Sequence, residues 1–494
     1  MDTSPLPIKN IVLYTNSGDD SLAVLRVLGP ARKLGVNVIR GVHNSQINVD
    51  AVRAGDVILV QRDFPLNLDA YEQVLALARS LGKPVIFDLD DLLFELPENH
   101  PDRLRFHFTD ALLPMLQAVM EADLVTVATI PLREYLLPFN RNIAVIPNYL
   151  NDDLWQFNSP LMPVTGEGKI IIGYMGGHSH RPDLLLVLPA LLNLEKKFPG
   201  KILYQFWGIE PPTELAPYSK VDWCPPGSLL YADFVAYFLT QTADIVIAPL
   251  GDNLFNSCKS SIKYLEYGAF GSPGVYSRVQ PYSDIITDGE DGFLAATLAE
   301  WERYLSNLIE SRDLRIRVAL NAQRKIKENW LLSQNAHHQL QVYTDAVTQY
   351  SKAERIDPPA YGTIKSLTRQ LTAKMQSHKR EIDLLTGKIL EDYDNFGPLI
   401  DQSIDPKSTI QTLKVLVAAQ TASIDALTNQ LAAQKSTTTT ITAQLGESNQ
   451  RNLELASQLE EREQEALSYA LSRSWRITRP FRNLSRKFHK PGPR

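Results

Sequence analysis

Asp244–Ser277 reads DIVIAPLGDNLFNSCKSSIKYLEYGAFGSPGVYS. Its first six residues, Asp244–Pro249 (DIVIAP), form a short apolar run of the kind that makes a strand buried on both faces. Ser260–Phe270 follows with helical spacing, and Gly274–Ser277 (GVYS) is a second short strand. Strand, helix and strand in this succession make a parallel β-α-β unit, the building block of a doubly wound sheet.

Working outward, the same alternation fills most of the chain. Upstream, Lys169–Tyr174 (KIIIGY) is a strand that runs into Met175, Gly176 and Gly177, and Leu184–Lys197 is a helix. Ile202–Trp207 and Val221–Trp223 are further strands, and Trp301–Ser311 and Arg315–Asn329 are helices. These elements define a Rossmann-like domain over residues 169–350. Residues 151–168 contain Pro160, Pro163, Gly166 and Gly168 and read as a linker. Before it, strands at Ile8–Tyr14, Asp56–Gln61, Pro84–Leu89, Asp123–Ala128 and Ile143–Ile146 alternate with helices at Leu22–Leu34, Leu68–Leu81 and Asp110–Ala122. This is a second Rossmann-like domain over residues 1–150. The fold class is therefore α/β, with two such domains facing a cleft, and their cores are expected to close before Pro358.

Beyond Pro358 and Pro359 the composition changes. Residues 362–470 fit a heptad with Ile410, Val417, Ile424 and Leu431 at a and Leu413, Leu427 and Ile441 at d, interrupted upstream by Pro398 and Pro406. A helical coiled coil that makes homo-oligomers is the expectation. Residues 471–494 carry eight Lys or Arg and no acid, with Trp475, Phe481 and Phe488 among them. The rest of the chain then holds 42 basic and 56 acidic side chains, a net of −14 within the total of −6. Basic residues interleaved with aromatics suit an anionic membrane surface, whereas the acidic body gives no reason to expect nucleic acid. No apolar run is long enough to span a bilayer, and the start has no signal-peptide pattern. Two cysteines, Cys224 and Cys258, speak against a disulfide framework. A cytoplasmic protein, peripheral at the inner face of the membrane, is expected.

No G-x-G-x-x-G or G-x-x-x-x-G-K-[ST] motif occurs. The candidate chemistry lies elsewhere. Gly176 and Gly177 let backbone approach a ligand ahead of a helix start, which favours an anion, and Arg181 is a candidate forked donor to phosphate. Lys259, Lys263 and Glu266 stand at i, i+4 and i+7: two cations for a diphosphate and a carboxylate for a ribose diol, or else a solvated stripe on an amphipathic helix. Asp88-Leu89-Asp90-Asp91 ends a strand and reads as a turn or cap, as acceptor binding by Asp90 and Asp91, or as a metal-binding D-x-D. Arg62 ends the neighbouring strand and is a candidate for an anionic acceptor or for a salt bridge. His178 and His180 have no partners at metal-ligand spacing, and no metal is expected.

Three features together carry a resemblance: Ile146-Pro147-Asn148 at the crossing between domains, the Gly176-Gly177 loop, and KYLEYGAFGSPGVYS after strand 244–249. Over about residues 8–345 the chain resembles the large family of retaining, nucleotide-sugar-dependent glycosyltransferases of GT-B fold, of the bacterial surface-glycan type. The resemblance implies a nucleotide sugar as donor, no cofactor or metal, and a glycan or lipid-linked acceptor on the N-terminal domain. It implies that Glu266 contacts the donor ribose, and that Arg181 with Lys259 or Lys263 stabilises the leaving diphosphate. Where the family often has a sugar-contacting glutamate, eight residues before Glu266, this chain has Cys258. That departure keeps open a second expectation, an inactive GT-B assembly protein working through its coiled coil.

Overall fold

The computed structural model describes residues 8–18, 20–160, 168–222, 230–349 and 360–400. Packing groups Met1–Lys379 into one compact unit and Arg380–Arg494 into another. The heptads beyond Ile410 and the basic tail lie outside the described residues.

The first domain is built on β1 (Asn10–Tyr14), β2 (Asn37–Arg40), a small antiparallel hairpin β3 (Val42–His43) and β4 (Gln46–Ile47), β5 (Val57–Gln61), β6 (Val85–Leu89), β7 (Leu124–Val127) and β8 (Ile143–Val145). Six of these make one parallel sheet in the order β2-β1-β5-β6-β7-β8. The central strands β5 and β6 are buried along their whole length, which is why they read as unbroken apolar runs.

The second domain has β9 (Ile170–Met175), β10 (Ile202–Trp207), β11 (Ser219–Asp222), β12 (Ile245–Ala248), β13 (Gly274–Ser277) and β14 (Phe293–Ala295). All are parallel, in the order β11-β10-β9-β12-β13-β14. In sequence order this is 3-2-1-4-5-6, so the connections reverse direction between β9 and β12. A crevice opens at such a switch point, beyond the carboxyl ends of the strands.

Local sequence explains an irregularity after β1. The expected helix Leu22–Leu34 is split into Ser21–Ala23, a π-turn over Val24–Leu28 and Gly29–Lys33. Pro30 has no N–H for the carbonyl of Arg26, and its ring crowds that carbonyl in a regular helix. The π-turn accommodates it, and the Arg26 carbonyl accepts instead from Nε2 of Gln339.

Gln339 belongs to the helix Leu332–Gln349, which the sequence placed in the second domain. Its Leu340, Tyr343 and Ala346 are buried in the core of the first domain with Ile11, Leu13, Val27 and Leu59. The chain thus crosses to the second domain after β8 and returns at its end. Burial of Leu340 alone is worth roughly 1.5–3 kcal/mol.

The helix Tyr361–Ile400 follows. The helix runs through Pro398 to Ile400, where the described residues end, so the break expected at Pro398 is not seen among them. Its first turns also close on the body. Glu121 is fully buried and takes hydrogen bonds from Tyr361 and, at 3.0 Å, from Lys365 Nζ. Arg369 makes two 3.1 Å bonds to Glu72. The apolar cores close before Pro358 as expected, but a buried carboxylate of the first domain finds its partners beyond that point.

Candidate functional site

A cavity of about 590 Å³ opens between the two domains at the β9/β12 switch point. Its floor in the second domain is the turn after β9. A Cβ on Gly176 would lie 2.8 Å from the Tyr174 hydroxyl oxygen, so only glycine fits beneath that ring. Gly208, at the end of β10, has φ of +78°, and a Cβ there would lie 2.9 Å from the Gly176 carbonyl oxygen. Gly177 is exposed and lines the cavity.

The opposite wall comes from the segment after β12. Lys259 precedes the helix Ile262–Phe270, and Lys263 and Glu266 lie on it; all three line the cavity. Lys263 Nζ stands 5.2 Å from the centre of the Tyr174 ring. Burial lowers its pKa to about 8, with Lys259 adding to the effect and Asp183 and Glu266 opposing it. Glu266 is no surface carboxylate. It is 5% exposed and accepts a 3.0 Å hydrogen bond from the Tyr231 hydroxyl, which itself accepts from Trp155 Nε1 at 3.1 Å. Burial raises the Glu266 pKa to about 7, against the opposing hydrogen bond from Tyr231.

Asp183, which the sequence did not single out, ties the two central loops together. Its Oδ1 accepts from the Gly251 amide at 2.8 Å and from Asn256 Nδ2 at 3.3 Å. Its Oδ2 lies 3.0 Å from Nδ1 of His180. Burial first, then the charges of Lys263 and Lys259, push His180 down to about 4, so near pH 7 it is neutral, with Nδ1–H donating to the carboxylate. Only its place two residues into the helix marks Asp183 in the sequence.

The first domain presents charge that is already paired. Arg26 lines the cavity, yet it is 1% exposed and binds the fully buried Asp88 through Nη2–Oδ1 at 2.7 Å. Asp88 also accepts from Gln61 Nε2 at 3.0 Å and Thr126 Oγ1 at 2.7 Å. Asp88 is therefore structural. Arg26 Nη1 continues to the Ile146 carbonyl and, at 3.1 Å, to Asn148 Oδ1, and Asn148 Nδ2 donates to Ser260 Oγ at 3.0 Å. A polar chain thus runs from the first core, through the Ile146-Pro147-Asn148 crossing, to the loop ahead of the Lys263 helix.

Asp90 and Asp91 line the cavity from the first domain. Arg62 sits behind them, 3.9 Å from Asp90 Oδ1 and 3.6 Å from Asp91 Oδ2, at φ of +48°. It does not line this cavity, and its guanidinium is shared between the two aspartates. Desolvation lifts Asp90 to about 6, whereas Asp91, also partly buried, is held below the usual range because Lys259 and Arg62 outweigh its desolvation. Lys259 Nζ stands 3.9 Å from Asp91 Oδ1 across the cleft and 4.3 Å from the Phe255 ring centre. Among the described residues no cluster of three or more His, Cys, Asp or Glu side chains has the arrangement of a metal site.

Two sequence-based assignments move. Arg181 is exposed at the first turn of the helix Arg181–Lys197 and does not line the cavity. Cys258 does not line it either. Fully buried, it packs with Phe255 into the core cluster of the first domain, and its carbonyl accepts from Thr129 Oγ1 at 2.8 Å. Burial raises the thiol to about 11, so it stays protonated.

Fold and site together define an α/β protein of two Rossmann-like domains, with an inter-domain cleft into which the second domain presents Lys259, Lys263 and Glu266. The chain is similar in structure to sucrose-phosphate synthase from Thermosynechococcus elongatus, at 14% identity over 69% of this chain and 99% of that one, with a TM-score of 0.49. It is similar to HepE of Anabaena, crystallised with UDP and glucose, at 12% identity over 68% and 100%, with a TM-score of 0.47. A glycosyltransferase from Rickettsia africae gives 12% identity over 69% and 100%, with a TM-score of 0.46. No family model matches the sequence, and no curated protein matches it.

Proposed function

We propose that this chain is a glycosyltransferase that takes its sugar from a nucleotide-sugar donor held by the second domain. The observation that carries this is the pair Lys263 and Glu266, a cation and a carboxylate on one face of a helix, both lining the cleft at the switch point. Lys263 meets the charge that grows on a leaving diphosphate, and Glu266 accepts from ribose hydroxyls. The Gly176 amide is spent on the Trp207 carbonyl at 3.1 Å, so Gly177 is the glycine whose amide adds a donor. The likeness of KYLEYGAFGSPGVYS to the retaining family supports retention at the anomeric carbon, and the lysines supply positive charge without a metal. The acceptor, a glycan or lipid-linked precursor of a surface polysaccharide, approaches from the first domain, past Asp90 and Asp91. Peripheral membrane attachment through residues 471–494 and self-association through 362–470 complete the proposal. No helix among the described residues is long and apolar enough to cross a membrane.

The test is incubation of the purified chain with a panel of nucleotide sugars while nucleoside diphosphate release is followed. Release from one donor, lost in Lys263→Ala, is expected. Binding without release from any donor would favour the second reading, an inactive assembly protein. Its structural motive is Cys258, which fills a domain contact where the family's sugar-contacting glutamate belongs.

A further inference from the structure

Beside the large cavity lies a smaller one of about 280 Å³. Its walls come from both domains: Pro97, Asn99 and His100 from the first, and Ser179, Leu186 and Asp252 among those from the second. His180 and Lys259 line both cavities, so the two meet at these side chains. We propose that the smaller cavity is the acceptor subsite and takes a single neutral sugar ring, with one hydroxyl facing the donor cavity at His180. This rests on the glycosyltransferase reading of the larger cavity and adds to it where the acceptor binds and what class it belongs to.

Three observations carry the assignment. The first is size: the volume lies just below the range of pockets for drug-sized ligands, which suits one ring rather than an extended chain. The second is polarity without net positive charge. Lys259 is offset by Asp91 at 3.9 Å, His180 is neutral, and Asp183 and Asp252 add negative charge to the walls, so they do not call for an anion. The third is hydrogen-bonding capacity open to a ligand: Asn99 and Asp252 are exposed and Ser179 is half-buried. Among the described residues the side chains of Asn99, Ser179 and Asp252 make no hydrogen bond within the protein, and amide, hydroxyl and carboxylate are the groups that bind sugar hydroxyls. Pro97, Pro182 and the half-exposed Leu186 offer the C–H face of a ring an apolar surface. His180 is fixed at the junction because Asp183 is itself bound by Gly251 and Asn256. Its second ring nitrogen, unprotonated in this tautomer, is the acceptor for the incoming hydroxyl.

The experiment uses the full chain and a panel of methyl hexopyranosides and methyl N-acetylhexosaminides, with binding read by saturation-transfer NMR. Leu186→Trp fills the cavity from an exposed position, and Asn99→Ala removes one wall amide. At least one glycoside is expected to bind, at least tenfold more weakly to Leu186→Trp and about threefold more weakly to Asn99→Ala. Nucleoside diphosphate affinity, measured by calorimetry on the same samples, is expected to stay within twofold. If no glycoside binds, or if one binds Leu186→Trp as well as the unaltered chain, the subsite is refuted. A chain that binds glycoside in this way but no nucleoside diphosphate would instead refute the donor reading of the larger cavity.

Discussion

The two walls of the cleft come from domains of nearly the same architecture, and they treat charge in opposite ways. On the first-domain side each cation is consumed internally: Arg26 by Asp88, and Arg62 by Asp90 and Asp91. On the second-domain side Lys263 lines the cavity with an aromatic ring as its neighbour, and burial has already weakened its hold on its proton. A group held in that state gains most when an anion arrives. The difference shows that counting basic residues at the ends of strands does not locate an anion site; what matters is which cations still lack a carboxylate.

The comparison breaks first at Arg26. Arg26→Met should cost about 3–5 kcal/mol of stability, because Asp88 is left charged and buried without its partner. Chemical denaturation measures this, and a loss below 1 kcal/mol would mean that the first wall is not charge-locked. Lys263→Ala should do the reverse, leaving the fold intact and weakening nucleoside diphosphate binding by about 1.5–3 kcal/mol, as for a lost hydrogen bond to a charged group.

The same wall predicts a pH profile. Diphosphate binding needs Lys263 protonated, so affinity falls above about pH 8, and ribose binding is best with Glu266 ionised, so it falls below about pH 7. Calorimetry across pH 6–9 should show a maximum between these values, and Glu266→Gln should remove the acid limb. In the free protein the sign for Glu266 is set by its raised pKa. Its contribution to stability is intact below the unfolded carboxylate range and is lost as pH rises through about 7.

Two smaller effects sharpen the picture. Cys258→Ala should cost about 1 kcal/mol in stability, because it opens a small void where the second domain plugs into the first, and it should leave donor binding within twofold. Arg181→Ala should change stability by no more than about 0.5 kcal/mol and donor affinity by less than twofold, as for an exposed side chain away from the cavity. A tenfold loss of affinity would restore Arg181 to the site.

Both sheets were legible because their central strands are buried on both faces and so appear as apolar runs. The strands that escaped are β2, a half-exposed edge strand, and β14, only three residues long. Lys259, Lys263 and Glu266, which helical spacing and a family-like motif singled out together, all line the cavity, but only Lys263 and Glu266 share the helix; Lys259 comes from the turn before it. Their environments were not legible. Glu266 reads as a surface residue until Tyr231 is seen above it, and Tyr231 is far away in sequence. Arg62 and Arg181 look alike in the sequence, each a basic residue near the carboxyl end of a strand. That neither lines the cavity depends on carboxylates and turns that spacing does not encode. Asp183 and Arg26 act through partners on other elements, and no local pattern announces such partners.

The return of the helix Leu332–Gln349 to the first domain has a consequence for how the chain is made. The core around Ile11, Val27 and Leu59 lacks Leu340, Tyr343 and Ala346 until residue 346 leaves the ribosome. At about 5–20 residues per second, the roughly 200 residues between β8 and that point take on the order of 10–40 s. For that time the amino-terminal sheet exists with an apolar face open and the Arg26 carbonyl without Gln339. The domain that is translated first is therefore the one that is finished last, and a chaperone that guards nascent chains has its window during synthesis of the second domain.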